Sequence, residues 1–531
     1  MEPFFEDNFF PLPEEIPREF AGVLPLSLDH YLSGGVLHKW DGPFREVRSP
    51  VCVRTSSGLS GMPVGRYPLM TGKESLHILR SAREAFDHGR GEWPSMALTR
   101  RIEKVEGFIS KMMPSKDLIS RILMWEIGKT YKDSQLEFDR TVDYAKGVIE
   151  AFRKVCTSTR EPITGHGIVG RIERMPLGVV LCMGPFNYPL FETFTGLIPA
   201  LISGNTVIFK TPRFGTLLYQ PLLEIFRDSF PAGVVNEISG EGKEVIPPLL
   251  SSGMIDGLAF IGTSTVAAYL RGLHPRTQRL RCVLGLEAKN PAIILPDADL
   301  DLTVKECITG ALSFNGQRCA ALKLFFVPKH RAELFLAKFS AALAAVRSGM
   351  PWQENILVTP LVEPGKPAYL AGLMGDAISR GAEIMNSGGG SSSGTFFSPA
   401  LLYPVSPSMR LYHEEQFGPL IPVVPYNDLE EVLRYGAQSN YGQQASLFGA
   451  DPEVLSRLAG HLMHHVSRVN INCQCQRSPD VMPFTGRKDS GEGSLSIEDA
   501  PFAFTLPSII AARDTLAHRK IIGDFGEGAE G

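Results

Sequence analysis

The stretch "SFNGQRCAAL", Ser313 to Leu322, sets one cysteine behind a glycine, a glutamine and an arginine. Free cysteine is among the most buried residue types, so Cys319 alone reads as a small core hydrophobe. Its neighbours point to chemistry instead. Gly316 permits close backbone approach, and adjacent Arg318 favours the thiolate, the form that attacks an electrophile. A nucleophile acting on a carbonyl also needs a preorganised donor for the oxyanion that forms. Asn187 in "GPFNYP" offers such an amide, or else caps a turn.

These residues must be held by strands and helices, and the sequence marks both. Short β-branched runs at "MPLGVVLCMGPFNYP", "GNTVIFKTP", "FPAGVVNEISGEG" and "IDGLAFIGTS" alternate with helix-length segments, which predicts βαβ units and a parallel sheet covered on both faces. Ligands bind such sheets at the carboxyl ends of the strands. Asn187, Lys210, Gly240 and Gly262 all follow an apolar run in this way. The Gly240-x-Gly242 pair is weak evidence for a dinucleotide, and stronger beside a strand-end lysine. Apolar positions from Thr71 to Ile109, and again over 117–152, recur at helical spacing. The N-terminal part, rich in Pro and Gly, predicts loops and short strands.

At 531 residues the chain exceeds the ~250–300 residues at which single cores stop growing, so at least two domains are expected. Its net charge of −4 gives no general reason to bind nucleic acid or anionic membrane. Gly196, Pro199, Gly204 and Asn205 break the apolar run Phe194–Phe209, so no transmembrane helix is expected. The acidic N-terminus lacks the basic region of a signal peptide, and a cytoplasmic protein is expected. The eight scattered cysteines read as reduced thiols. Cys473 and Cys475, with His464 and His465 upstream, have no second Cys-x-x-Cys pair, so no metal site is expected. "NSGGGSSSGTFF" reads as a surface loop rather than a phosphate cradle.

Taken in order, "GPFNYP", "GNTVIFK", "FIGTS", "KNPAI", "FNGQRC", "EEQFGP" and "PFTGRKDSG" make the chain resemble the aldehyde dehydrogenase superfamily over roughly residues 70–515. The resemblance implies an α/β fold: a Rossmann-like cofactor domain (1–152 and 176–285), an α/β catalytic domain (286–472), an active-site connection (473–499) and a small β oligomerisation region (153–175 and 500–531). That region would form a homodimer or homotetramer. Alternating apolar residues Ile168, Val169 and Ile172 fit its β-ribbon.

The resemblance also implies roles. Cys319 would attack an aldehyde to give a thiohemiacetal, and Asn187 with the Cys319 amide would hold the oxyanion; hydride transfer then leaves a thioester. Lys210 would bind the adenosine ribose, Gly262 and Thr263 would lie near the pyrophosphate, and Glu415 and Phe417 would fix the nicotinamide ribose and ring. Arg213 stands where many NAD-using relatives carry a glutamate, so NADP is expected over NAD. Within the superfamily, the non-phosphorylating NADP-dependent glyceraldehyde-3-phosphate dehydrogenases bind phosphate through three arginines and a tyrosine. Arg140, Tyr188, Arg318 and Arg477 match them, which makes a phosphorylated aldehyde the expected substrate and substrate phosphate the expected partner of Arg318. The alternatives are another phosphorylated or acidic aldehyde such as succinate semialdehyde, acyl transfer to phosphate or coenzyme A, and a weakened scaffold.

One departure stands out. The family's "ELGGK", whose glutamate activates the deacylating water, is "GLEAK" here, with Gly285 at the glutamate position. If the segment is extended, Glu287 shares a face with position 285 and is the candidate base; otherwise it contacts cofactor or pairs with a cation such as Lys289.

Overall fold

A computed structural model describes residues 9–158 and 162–523. Near the N-terminus, strands β1 (Phe44–Thr55) and β2 (Gly58–Pro68) form a hairpin, with much longer strands than the Pro/Gly content predicts. The helical pattern over 71–152 resolves into α1 (Gly72–Phe86), α2 (Leu98–Met112), α3 (Lys116–Ile127) and α4 (Tyr131–Ser158). Thr71 opens α1 with a capping box to Glu74. Gly128, at φ +63°, separates α3 from α4; its backbone conformation is one that side chains with a Cβ disfavour.

A ribbon follows, β3 (Ile163–Gly165) and β4 (Ile168–Pro176). Then come β5 (Val179–Met183), the helix α5 (Phe191–Ile202), β6 (Thr206–Lys210), β7 (Val235–Ile238), β8 (Gly257–Ile261), α6 (Ser264–Leu273) and β9 (Arg281–Gly285). In space the strands run β7-β6-β5-β8-β9, all parallel, so the first strand of the set is central and the chain winds outward both ways. All twelve residues of α5 are buried, which accounts for an apolar stretch that is neither amphipathic nor long enough for a membrane. No described helix is long and apolar enough to cross one.

The second sheet is built from strands between Pro291 and Ile471, in seven-stranded order, parallel except at one edge where Glu383–Ile384 pairs antiparallel with Ala400–Tyr403. Sequence reasoning assigned residues 473–499 to a connection alone. Within them Gly491–Glu492 returns to the first sheet, pairing Gly491 with Gly285 at the end of β9. The last strand, β10 (Thr505–Arg513), lies along β4 over nine residue pairs. Residues 159–161 and 524–531 of the expected oligomerisation region lie outside the described residues.

Candidate active site

Cys319 follows a turn of three residues in left-handed backbone: Phe314 (φ 47°), Asn315 (φ 60°) and Gly316 (φ 71°). Such conformations cost side-chain-bearing residues free energy and persist where surroundings fix them. Here Asn315 exchanges two bonds with Thr359: it donates from Nδ2 to Oγ1 (3.1 Å) and accepts at Oδ1 from the backbone N–H (2.7 Å). A Cβ on Gly316 would stand 2.6 Å from the Ala311 carbonyl oxygen, so glycine is required there. Beyond the turn, the Cys319 carbonyl accepts from Asn290 Nδ2 and Lys323 Nζ, each at 2.8 Å.

The thiol opens on a cavity of about 520 Å³ whose lining includes Asn187, Glu192, Gly285, Glu287, Glu415 and Phe417. Burial is the largest influence on the thiol and pushes it up. Glu192 adds to the rise, whereas Lys323 and Arg477 oppose it. Arg318, expected beside the thiolate, turns away: its Nη2 donates to the Gly310 carbonyl at 3.2 Å. The cations acting on the nucleophile come from elsewhere in the chain. Asn187, also buried, donates from Nδ2 to the Gln317 carbonyl at 2.8 Å, which holds it against the nucleophile loop.

A second cavity of about 900 Å³ lies on the other side of that loop, lined by Arg140, Tyr188, Arg318, Ser313, Phe314 and Trp352 among others. The consecutive pairs Asn187–Tyr188 and Arg318–Cys319 therefore divide between the two cavities. Asp480 grips Arg140 bidentately at 2.8 and 2.9 Å, and Glu192 pairs with buried Arg477. Arg318 has no carboxylate partner among the described residues.

The residues expected to hold a dinucleotide are gathered at the carboxyl ends of the first sheet. Gly262 follows β8, where a Cβ would stand 2.4 Å from the Phe260 ring. Thr263 caps α6, accepting at Oγ1 from the Val266 N–H. Glu287 Oε2 accepts from the Ser264 N–H at 2.7 Å, so this carboxylate occupies the positive end of α6. The expectation that alternation would aim Glu287 at the reacting centre meets two facts: β9 ends at Gly285, and the N–H groups of α6 offer a nearer anion site.

Glu415, with Phe417, lines the Cys319 cavity, and its Oε1 accepts from Lys323 Nζ at 2.5 Å and from the Ala288 N–H at 3.0 Å. Lys210 is buried; desolvation pulls it down to about 8 against the pull of Glu241 and Glu237, and Arg45 and exposed Arg213 lower it further. Three cations thus converge near one edge of the sheet, with Arg45 held by Glu241 at 2.5 Å. Gly240 (φ 128°) lies outside the Cys319 cavity, and a Cβ there would come to 3.0 Å from the Met70 carbonyl. Its role in the fold is close packing of the loop. Gly262 at the strand end and the buried Lys210 fit an anionic dinucleotide, whereas the α6 N-terminus is already taken by Glu287.

Sequence reasoning missed Lys323, Lys129, Arg45 and Glu192. Lys129 is fully buried: it pairs with Glu137, donates to the Asn187 carbonyl at 2.7 Å, and lies 3.6 Å from the Tyr188 ring centre. Lys323, Arg45 and Glu192 meet their charged partners Glu415, Glu241 and Arg477 across long sequence separations, and Lys129, though only eight residues from Glu137, reaches the Asn187 carbonyl 58 positions away, so no local pattern marks them.

A cysteine and an asparagine amide in one cavity at the carboxyl ends of a parallel sheet place the chain among α/β enzymes. The aldehyde dehydrogenase family model matches residues 48–508, and the chain belongs to that family. Among curated relatives, an NADP-dependent glyceraldehyde-3-phosphate dehydrogenase of Streptococcus equinus is 33% identical over 84% of this chain and 92% of its own. A malonate-semialdehyde dehydrogenase of Bacillus cytotoxicus is 26% identical over 86% of this chain and 93% of its own. Among solved structures, the NADP-dependent glyceraldehyde-3-phosphate dehydrogenase of Bacillus halodurans C-125, complexed with NADP, superposes with a TM-score of 0.84 at 29% identity, covering 91% of this chain and 99% of that one.

Proposed function

We propose that the chain is an NADP-dependent aldehyde dehydrogenase that oxidises glyceraldehyde 3-phosphate to 3-phosphoglycerate. The observation that carries this reading is the grouping of Arg140, Tyr188 and Arg318 around one cavity while Cys319 and Asn187 face the other from the same two segments. An aldehyde anchored by its phosphate on the arginine side presents its carbonyl to Cys319 across that wall. Thiol attack gives a thiohemiacetal whose oxyanion accepts hydrogen bonds from Asn187 Nδ2 and the Cys319 N–H. NADP, when bound, supplies the hydride acceptor. Gly262, Thr263, Lys210 and Arg213 would hold it, and Glu415 and Phe417 would orient its reactive end.

A carboxylated aldehyde, of the malonate-semialdehyde type, is the second reading. It is favoured by one observation: Asp480 and Glu192 already engage Arg140 and Arg477, leaving Arg318 for a single negative charge. Comparing kcat/KM for glyceraldehyde 3-phosphate, unphosphorylated glyceraldehyde and malonate semialdehyde separates them. Arg318→Gln should cut the preference for the phosphorylated over the plain aldehyde by roughly 10- to 100-fold, the worth of charge-assisted hydrogen bonds. An unchanged preference would sink the phosphate reading.

We further propose a homodimer or homotetramer assembled through the edge of β10, and a cytosolic setting in which Cys319 stays reduced.

A further inference from the structure

We propose that Glu192, the second residue of α5, is the base that activates the water hydrolysing the Cys319 thioester, in place of the glutamate missing at position 285. This rests on reading the chain as an aldehyde dehydrogenase that releases a free acid.

Three observations converge on it. First, Glu192 lines the same cavity as Cys319, Asn187 and Gly285. Second, it shares the apolar neighbours that a side chain at 285 would meet. A Cβ on Gly285 would point at Ile261 Cγ1 (3.3 Å) and Leu495 Cδ1 (3.6 Å), and Ile261 and Leu495 line a small recess together with Glu192. Third, the carboxylate is fixed with one oxygen to spare. Arg477 holds Oε2 and is itself anchored by donating Nη2 to the Leu495 carbonyl at 3.0 Å, whereas Oε1 takes no hydrogen bond from the described residues. Glu287, the other carboxylate near position 285, is occupied at the N-terminus of α6.

In the step assigned to it, Glu192 Oε1 removes a proton from water as the water oxygen bonds to the thioester carbon. The resulting oxyanion is held by Asn187 Nδ2 and the Cys319 N–H. Collapse breaks the C–S bond, Cys319 leaves as thiolate with the electron pair, and Glu192 passes its proton to solvent. No oxidation occurs in this step.

Glu192→Gln should retain a single-turnover burst of NADPH with glyceraldehyde 3-phosphate, while steady-state turnover falls at least ~100-fold, the low end for general-base catalysis. Intact-protein mass spectrometry should then show an acyl adduct on Cys319. Adding Gly285→Glu to that variant should restore turnover and clear the adduct, since the atoms nearest that site belong to the Ile261 and Leu495 side chains and none to backbone. Steady turnover of Glu192→Gln at the parent rate would overturn the assignment, as would an adduct that accumulates in Glu287→Gln instead. Should Glu192→Gln lose its burst as well, the double variant decides: recovery supports the role and continued inactivity rejects it. Failure of the parent enzyme to form NADPH with any aldehyde would instead refute the dehydrogenase reading itself.

Discussion

Cys319 titrates in a field set chiefly by burial and by four charges, nearby Lys323 and distant Glu192, Glu415 and Arg477, with the two glutamates raising the thiol and the two cations lowering it. Because the thiol stands above its ordinary value, the thiolate fraction at neutral pH is small, and reaction with iodoacetamide should keep climbing as pH rises past the range of a free cysteine. Lys323→Met removes a cation that favours the thiolate, so its alkylation profile should move to still higher pH; a move to lower pH would contradict this account of the field. Cys319 and Asn187 were legible in the sequence because motif and nucleophile lie within a few residues of each other. Glu192 and Arg477 were not legible as a pair: 285 positions separate them, and only the folded chain closes the gap. Gly285 announced a missing group without naming its replacement.

At the scale of elements, the chain just before α5 is pinned by Glu137 of α4, whose Oε1 accepts from the Leu190 and Phe191 N–H groups at 3.0 and 3.1 Å while Oε2 pairs with Lys129. This is the join between the four-residue reach of Asn187–Leu190 and the helix that carries Glu192. Glu137→Ala leaves Lys129 buried without its counter-charge and should cost about 3–5 kcal/mol, read as a lower urea midpoint. Loss of the anchor should also lower kcat more than it raises KM, since Asn187 and Glu192 are both positioned through it. The parallel strands were legible as apolar runs buried on both faces, and the helices over 71–152 as periodic stretches; the long hairpin β1–β2 was not, because its Gly and Pro residues look like loop until pairing is known. Glu287 shows another limit: it lines the Cys319 cavity together with Gly285, but its bond to the Ser264 N–H forms 23 positions away and could not be read from alternation.

Across the whole molecule, the chain crosses from the first sheet to the second between Gly285 and Pro291, the nucleophile loop leads into a strand of the second sheet, and a separate ribbon projects its edge. Among the described residues strand β10 pairs with β4 on one side only, and it presents Leu506 opposite Met175 of β4 and Ile509, 69% exposed, opposite Ile172. An unpaired edge with apolar side chains is a template for a second copy. Ile509→Lys should shift the sedimentation-equilibrium mass toward the monomer without altering the far-ultraviolet dichroism; an unchanged mass would remove β10 from the interface. The two cavities on either side of the nucleophile loop carry a kinetic consequence. They share no lining residue, so on the function proposed above the aldehyde and the dinucleotide would come by separate doors. On that assignment a bound dinucleotide would not bar the aldehyde's entry, whereas Cys319, Glu192 and Phe417 line one cavity, so the hydrolytic water and the reduced dinucleotide would compete for the same space. Arrival would then be set by relative affinities, and departure by obstruction.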